Sequence, residues 1–445
     1  MKAARLTAAL SIVSSVLLFA TTVPSVHGLD WGVSVDNSSG VSGPTDGLEY
    51  TQSNRAALFV THEFSAELEM AAQASYAFSL DRTYLVDIDY LYAHLRRPIK
   101  QEQRDLWLID LQAGRFVFAD FTERVLRTRA DGLRLGIESA RMDVTAGLGY
   151  TGFVLLPNTT VQLSRADVND DADDKLLGPP RLVGFLAFML PEYISGQDVV
   201  ITFVGQKDLR PQGDLDELEG SGRVDTQYVG LGVSGPLLPQ LYYDSFLYFG
   251  FGRAMAESDL GSGVYEYRQI SAQMAGLGLQ YFMPEVSKSI VEANLLVSSG
   301  GADQVSYFEG ATEGGSKQFL SITDSPLGLI FSPRPGNLIV ADAGYAIRPF
   351  AYAGNTLQNL QTRLRYFAFF RPTSGVISEV GANTESDARY LGSEIDLMVN
   401  YRPFSDLGVG LALAAFFPST GSDRGFIEGS RETELLARFD LSFSF

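Results

Sequence analysis

Hydrophobic and polar residues alternate with period two over much of the chain. The clearest run ends at the last residue. Thr433, Leu435, Ala437, Phe439, Leu441, Phe443 and Phe445 lie on one face; Glu434, Leu436, Arg438, Asp440, Ser442 and Ser444 lie on the other. That period predicts a strand with one apolar and one polar face. A register slip of one residue would turn Glu434, Arg438 and Asp440 toward the apolar side. Three more runs behave alike. Leu391, Ser393, Ile395, Leu397, Val399 and Tyr401 oppose Gly392, Glu394, Asp396, Met398, Asn400 and Arg402. Leu407, Val409, Leu411, Leu413, Ala415 and Phe417 follow after a tight turn at Pro403-Phe404-Ser405. Near the start, Leu68, Met70, Ala72, Ala74, Tyr76 and Phe78 oppose Glu67, Glu69, Ala71, Gln73, Ser75 and Ala77. Many strands of roughly ten residues are tall enough to cross a bilayer when tilted. The pattern predicts an all-β chain, a transmembrane antiparallel β-barrel, with the apolar face toward outer-membrane lipid and the polar face toward the lumen.

The first residues follow a different pattern. Lys2 and Arg5 precede an apolar stretch, Leu6 to Ala20, and then the small residues around Val26-His27-Gly28. This is the layout of a secretory signal peptide, expected to be cleaved after Gly28. The stretch is shorter than the roughly 20 residues of a membrane-spanning helix. The expected organisation is a signal peptide over 1–28 and one barrel domain over 29–445.

Strand parity sets the count. With the last strand ending in the periplasm, Pro418–Ser430 and Arg371–Arg389 fall outside, and Arg402–Asp406 and Ala351–Asn359 fall inside. From the N-terminal side, short connections near Ser65, Ser139, Pro191–Gln197, Gly235–Gln240 and Met283–Lys288 fall on one side. The longer Leu156–Pro180, Lys207–Arg223 and Arg253–Gly263 fall on the other, as short periplasmic turns and long outer loops require. The two counts agree only if Ser299–Asn337 is one outer loop. Pro326, Pro333 and Pro335 support that, because proline cannot donate to a ladder. The result is about 18 strands, with 16 as the alternative, and long outer loops at 299–337, 155–180 and 207–223. The first strand (Trp31–Val35) and the hairpin around Ser79–Thr83 carry the faintest signal. Ser299–Asn337, together with Phe118–Ala130, is expected to fold inward and narrow the pore.

Composition narrows the function. The chain has 445 residues, no cysteine, 53 acidic and 34 basic residues, and a formal net charge of -19. Without cysteine there are no disulfides, thiolate metal sites, thiol nucleophiles or lipidated cysteine. The acidic balance argues against nucleic acid, whose phosphates are bound by clustered Lys and Arg. His62 groups with Leu58, Val60 and Phe64, and His94 with Val86, Ile88, Tyr90 and Tyr92. Both are expected as membrane-interface rings rather than catalytic bases. Gly230-Leu231-Gly232-Val233-Ser234-Gly235 matches G-x-G-x-x-G but runs into Pro236 inside a strand, so a phosphate cradle is rejected. Its glycines are expected to relieve crowding in a curved wall. Asp170–Asp174 and Asp214–Glu219 lack the spacing of a calcium loop and read as solvated outer loops. No catalysis, cofactor or metal is expected.

The polar face carries the candidate chemistry. Arg363 and Arg365 share it with Gln361, Phe367 and Phe369. Arg348 follows Asp342, Arg134 is expected to pair with Glu138, and Arg402 and Arg438 join from the last strands. Asp87, Asp89, Glu292, Asp342, Glu394, Asp396, Glu434 and Asp440 oppose them. Rings of lumenal charge set pore selectivity; Arg–carboxylate pairs can also simply brace the wall. Both readings stand.

Ala113-Gly114-Arg115-Phe116, then Arg124, then Asp131-Gly132-Leu133-Arg134-Leu135 resembles a pattern of alginate-export-type outer-membrane barrels and related porins. Tyr390 to Leu397, followed by Phe416-Phe417-Pro418, resembles that family's C-terminal hairpin, and the terminal Phe445 resembles the signal read by the barrel assembly machinery. The resemblance implies an 18-stranded barrel with an Arg-rich lumen for an acidic polysaccharide, lined by Arg115, Arg134, Arg363 and Arg365. Strand parity, however, groups Arg115 with Trp107, Ile109 and Leu111, so it reaches the lumen only through a bulge or at the rim. The acidic Glu394 and Asp396 also sit poorly with a polyanion. The expected function is passive diffusion of small or medium polar solutes through a charged lumen in the bacterial outer membrane. Export of an acidic oligosaccharide or polysaccharide, and a surface adhesin or structural barrel with a plugged lumen, are the alternatives.

Overall fold

The computed structural model describes residues 29–80, 84–100, 106–167, 175–211, 222–257 and 264–445. The expected signal peptide, both acidic loop clusters and the tip of the hairpin near Ser79 lie outside these residues.

The described chain forms 18 antiparallel strands in one sheet. They are β1 (Leu29–Pro44), β2 (Glu49–Ser65), β3 (Leu68–Ser79), β4 (Leu85–Lys100), β5 (Leu106–Ala119) and β6 (Arg127–Glu138). Then come β7 (Asp143–Tyr150), β8 (Arg181–Ile194), β9 (Gln197–Asp208), β10 (Asp225–Leu238), β11 (Leu241–Glu257) and β12 (Tyr265–Met283). The last six are β13 (Ser289–Ser298), β14 (Leu338–Ile347), β15 (Gln361–Phe370), β16 (Tyr390–Phe404), β17 (Leu407–Pro418) and β18 (Glu434–Ser444). Each pairs with its sequence neighbour, and β1 pairs with both β2 and β18, so the sheet closes. The count is 18 rather than 16, and 299–337 is a single connection without a strand. Short turns gather at the end holding Leu29 and Phe445; 151–167, 175–180, 299–337, 371–389 and 419–433 gather at the other.

Alternation places the faces as expected. On β18 Leu435, Phe439, Leu441 and Phe443 are exposed outward. On the neighbouring β17, Leu411 opposite Phe439 and Leu413 opposite Ala437 are also exposed. In a transmembrane wall this surface meets lipid. Gly230 and Gly232 of β10 face into the barrel: a Cβ on Gly230 would lie 2.4 Å from the Tyr248 ring, and one on Gly232 2.4 Å from the Phe121 ring.

Three features depart from the sequence reading. β1 runs from Leu29 to Pro44, far beyond Trp31–Val35, because Asn37 and Ser39 occupy outward positions and hide the alternation. The β3–β4 register shifts between Gln73 and Ala74, so Asp89 is an extra residue in β4. Such a bulge flips all later side chains. Val86 and Ile88 face outward before it, and Leu91 after it. His94 therefore turns into the barrel, against the interface position expected for it. Third, β4–β5 pairing stops at Leu91–Arg115. There Gly114 has a left-handed φ of 129°, and a Cβ would meet the Leu91 carbonyl oxygen at 2.2 Å.

Replacing Leu413 with Arg should lower the stability of the bilayer-inserted barrel by about 2–4 kcal/mol. Denaturant titration in bilayers checks this; no loss would contradict the outward assignment.

Candidate functional site: a lumen narrowed by folded-in loops

The barrel interior is filled from the loop end. Phe319, Leu320, Ile322 and Phe331 of the 299–337 connection are buried, as are Val125 and Leu126 of the β5–β6 loop. Asp120 shapes the shorter loop. It accepts from the Thr122 hydroxyl and from the backbone N–H groups of Thr122, Val125 and Leu126. Its carboxylate also accepts from the Tyr248 hydroxyl of β11 at 2.6 Å, and Phe121 stacks on Tyr248 at 5.7 Å. The loop therefore reaches across the lumen instead of standing up from the rim. The two loops then interlock: Ile322 and Thr323 donate N–H bonds to the Val125 carbonyl, and Arg127 N–H donates to the Thr323 hydroxyl at 2.8 Å.

The far end of the long loop is held by β16. Glu394 accepts from the N–H groups of Ile330 at 2.9 Å and Phe331 at 2.7 Å. Phe331 stacks on Phe416 at 4.4 Å and meets Phe369 edge-on at 4.8 Å, with the Arg431 guanidinium 4.8 Å from its ring centre. Glu394 and Asp396 were expected on the open lumenal surface. They are instead 0% and 2% exposed, covered by this loop. The sequence shows which face they occupy but not which loop covers that face.

The remaining candidates divide by partner. Arg363 is paired with Glu292 of β13, and Arg365 with Asp342 of β14 at 2.7 Å. Arg365 also lies over the Phe367 ring at 4.4 Å. Arg134 does not pair with Glu138. It lies 3.4 Å from Asp110 of β5, whose other oxygen is 2.6 Å from His94 Nε2, while Glu138 faces Arg96 at 3.9 Å. Residues four apart on a strand are roughly 13 Å apart, whereas cross-strand neighbours are within about 5–8 Å. Arg438 is 3.1 Å from Asp440 on the same strand. Arg115 keeps the outward parity of the exposed Trp107, Leu111 and Val117. Its side chain folds back into the break between β4 and β5. There it donates to both Asp131 oxygens at 3.0 and 2.9 Å and to the Ile88 and Phe153 carbonyls. It closes the wall at that break.

Arg348 and Arg402 have no ion-pair partner among the described residues. They line a cavity of about 580 Å³ at the termini end, with Asn359, Gln361, Asn400, Tyr401 and Asp440. Arg124, on the tip of the β5–β6 loop, also lacks an ion pair. It lines a smaller space of about 110 Å³ with Asp244, Asn294, Asp342 and Arg365. Arg124 entered the sequence reading only as a motif residue; nothing in its local pattern shows that its loop folds inward. Away from both cavities, Arg181 and Arg210 bind Asp167 and Asp208 in a buried cluster, with contacts of 2.6–3.1 Å, that ties the segment ending at Asp167 to β8 and β9. Burial alone would raise the Asp167 carboxyl. The charges of Arg181 and Arg210, with the Leu163 N–H, hold it below the usual carboxylate range.

No family model and no curated protein sequence matches the chain. Solved structures do. Pseudomonas aeruginosa OccK2 (OpdF) aligns with a TM-score of 0.57 at 12% identity, over 94% of this chain and 98% of that one. Pseudomonas aeruginosa OccD3 (OpdP) aligns with 0.56 at 11% identity, over 95% and 93%. The outer membrane protein opdK from Pseudomonas aeruginosa aligns with 0.54 at 11% identity, over 94% and 98%. At such identities the likeness concerns the fold: an 18-stranded porin-like barrel along nearly the whole chain. The alginate-export family is not among these three.

Replacing Glu394 with Ala leaves two N–H groups without their acceptor, at about 1–3 kcal/mol each. Limited proteolysis should then cut near Leu327–Phe331 at least tenfold faster; an unchanged rate would show that aromatic packing alone holds the loop. Replacing Asp167 with Asn removes one partner from a buried ion cluster, about 3–5 kcal/mol. Cleavage within 151–180 should accelerate; unchanged protection would contradict the tether.

Proposed function

We propose that the chain is a narrowed diffusion channel for small polar solutes in a bacterial outer membrane, working without catalysis. The observation that carries this is the placement of charge. Arginines that hold the wall are matched by carboxylates, as Arg363 is by Glu292 and Arg365 by Asp342. Arg124, Arg348 and Arg402 border open space without an ion-pair partner. A charge left free beside a cavity is available to a passing solute, whereas a paired one is spent on structure. The porin-like fold supports the same reading. So does the outward apolar band, which makes membrane lipid the surrounding solvent and leaves insertion to the barrel assembly machinery. Sidedness then follows: Arg348 and Arg402 open toward the periplasm, and the interlocked loops face outside.

Export of an acidic oligosaccharide is the second reading. The unpaired Arg348 and Arg402 favour it. The tied-down Arg115, which that reading would place along the conduit, weighs against it.

Single-channel recording in planar bilayers tests the proposal. Discrete conductance steps are expected. A folded, inserted barrel that gives none would overturn both transport readings and favour a plugged structural or adhesive barrel. Replacing Arg348 and Arg402 with Ala should shift the reversal potential toward cation preference while changing stability by less than about 0.5 kcal/mol, as for other surface positions. An unchanged reversal potential would remove this vestibule from the solute path. Replacing Arg363 and Arg365 with Ala should raise cation preference and also destabilise the barrel, because Glu292 and Asp342 lose their partners.

A further inference from the structure

The outward face of β1 and β2 carries a cluster of polar groups in a band that is mostly apolar. Asn37 and Ser39 of β1 share parity with the outward Phe443, Leu441 and Phe439 of β18, to which Val35, Asn37 and Ser39 are paired. Across the other ladder, Asn37 is opposite Asn54 and Ser39 is opposite Gln52 on β2. The four side chains form one patch. It lies within the apolar band: Phe443 and Phe445 flank it toward the termini end, Tyr50 flanks it toward the loop end, and all three are exposed.

The patch is only partly satisfied within one chain. Asn37 Nδ2 donates to Asn54 Oδ1 at 2.7 Å, and the Ser39 hydroxyl donates to Asn37 Oδ1 at 3.1 Å. The Asn54 amide N–H groups and the Gln52 side-chain amide make no hydrogen bond among the described residues. Toward hydrocarbon, an amide group without a hydrogen-bond partner is strongly unfavourable. Lipid tails offer such amides no partners, and another membrane-embedded surface can supply them. Ala56 and Ala437 adjoin the patch on the outward face, between the larger Tyr50, Tyr76, Phe439 and Leu441. The polar groups therefore sit in a shallow dip framed by aromatic and aliphatic side chains that a second wall can contact.

We propose that this β1–β2 face docks against the same face of a second copy of the chain. Each amide is both donor and acceptor, so the patch can complement itself about a two-fold axis, and in an isologous interface the same residues meet on both sides. Two barrels inserted with one orientation require that axis to run along the membrane normal. Strands tilted by roughly 40° then cross at about twice that angle, so the contact is compact, as a four-residue patch demands.

The native chain has no cysteine, so a single introduced thiol reports without background. With Ser39→Cys in the full chain, in native-like bilayers under mild oxidation, a disulfide-linked dimer is expected. It should form at least tenfold faster than with Leu231→Cys, an outward position on β10. Asn37→Leu with Asn54→Leu should lower the dimer fraction of otherwise native protein at least fivefold, read by native mass spectrometry from nanodiscs. Barrel folding is checked separately by heat-dependent gel mobility. Folded Ser39→Cys barrels that stay monomeric, or cross-link no faster than Leu231→Cys, would overturn the proposal. So would a Leu variant with an undiminished dimer fraction, or an oligomer other than a dimer.

Discussion

The backbone of a chain surrounded by lipid has to satisfy its own hydrogen bonds, because no water is present to do so. A sheet meets that requirement only by closing, and here the pairing of β1 with β18 closes it. Much else follows. Closure makes every strand two-faced, so side chains alternate between lipid and lumen. The lumen of an 18-stranded wall is too wide for strand side chains to fill, since eight strands already suffice for a filled interior. The loops complete the filling. The 299–337 connection and the β5–β6 loop carry buried aromatic and aliphatic residues that would be out of place in free surface loops.

Charge inside the barrel does two jobs that can be told apart by partner. Asp120, Glu394 and the Arg181–Asp167 cluster spend their hydrogen bonds on loop backbone or on one another, and they hold the loops in place. Arg115 and Asp131 close the break in the wall where β4 leaves β5. Arg124, Arg348 and Arg402 are left beside open space. An acidic chain can thus leave basic groups beside open space, because carboxylates such as Glu292, Asp342 and Asp167 are committed to partners elsewhere.

The period-two pattern made the wall legible before any coordinates. The faces of β16, β17 and β18, the side on which each loop falls, and the reading of 299–337 as one loop all follow from strand alternation and proline placement. What could not be read required non-local contact. The bulge at Asp89 turns His94 inward, yet a bulge is a single extra residue with no signature in a one-strand pattern. Arg134 chose Asp110 over Glu138 because cross-strand distance, not sequence distance, decides pairing. Glu394 and Asp396 have the expected face, but the loop that covers them lies more than 50 residues away in the chain. The polar outward positions of β1 made its strand look short for a physical reason: they break the alternation on which strand recognition rests.

The central claim is that the folded-in 299–337 connection, not the wall, sets the width of the pore. The most direct measurement replaces residues 302–336 with a short Gly/Ser linker and compares single-channel conductance with the native chain in the same bilayer and salt. A severalfold larger conductance through an intact barrel is expected. An inserted, heat-modifiable barrel with unchanged conductance would contradict it.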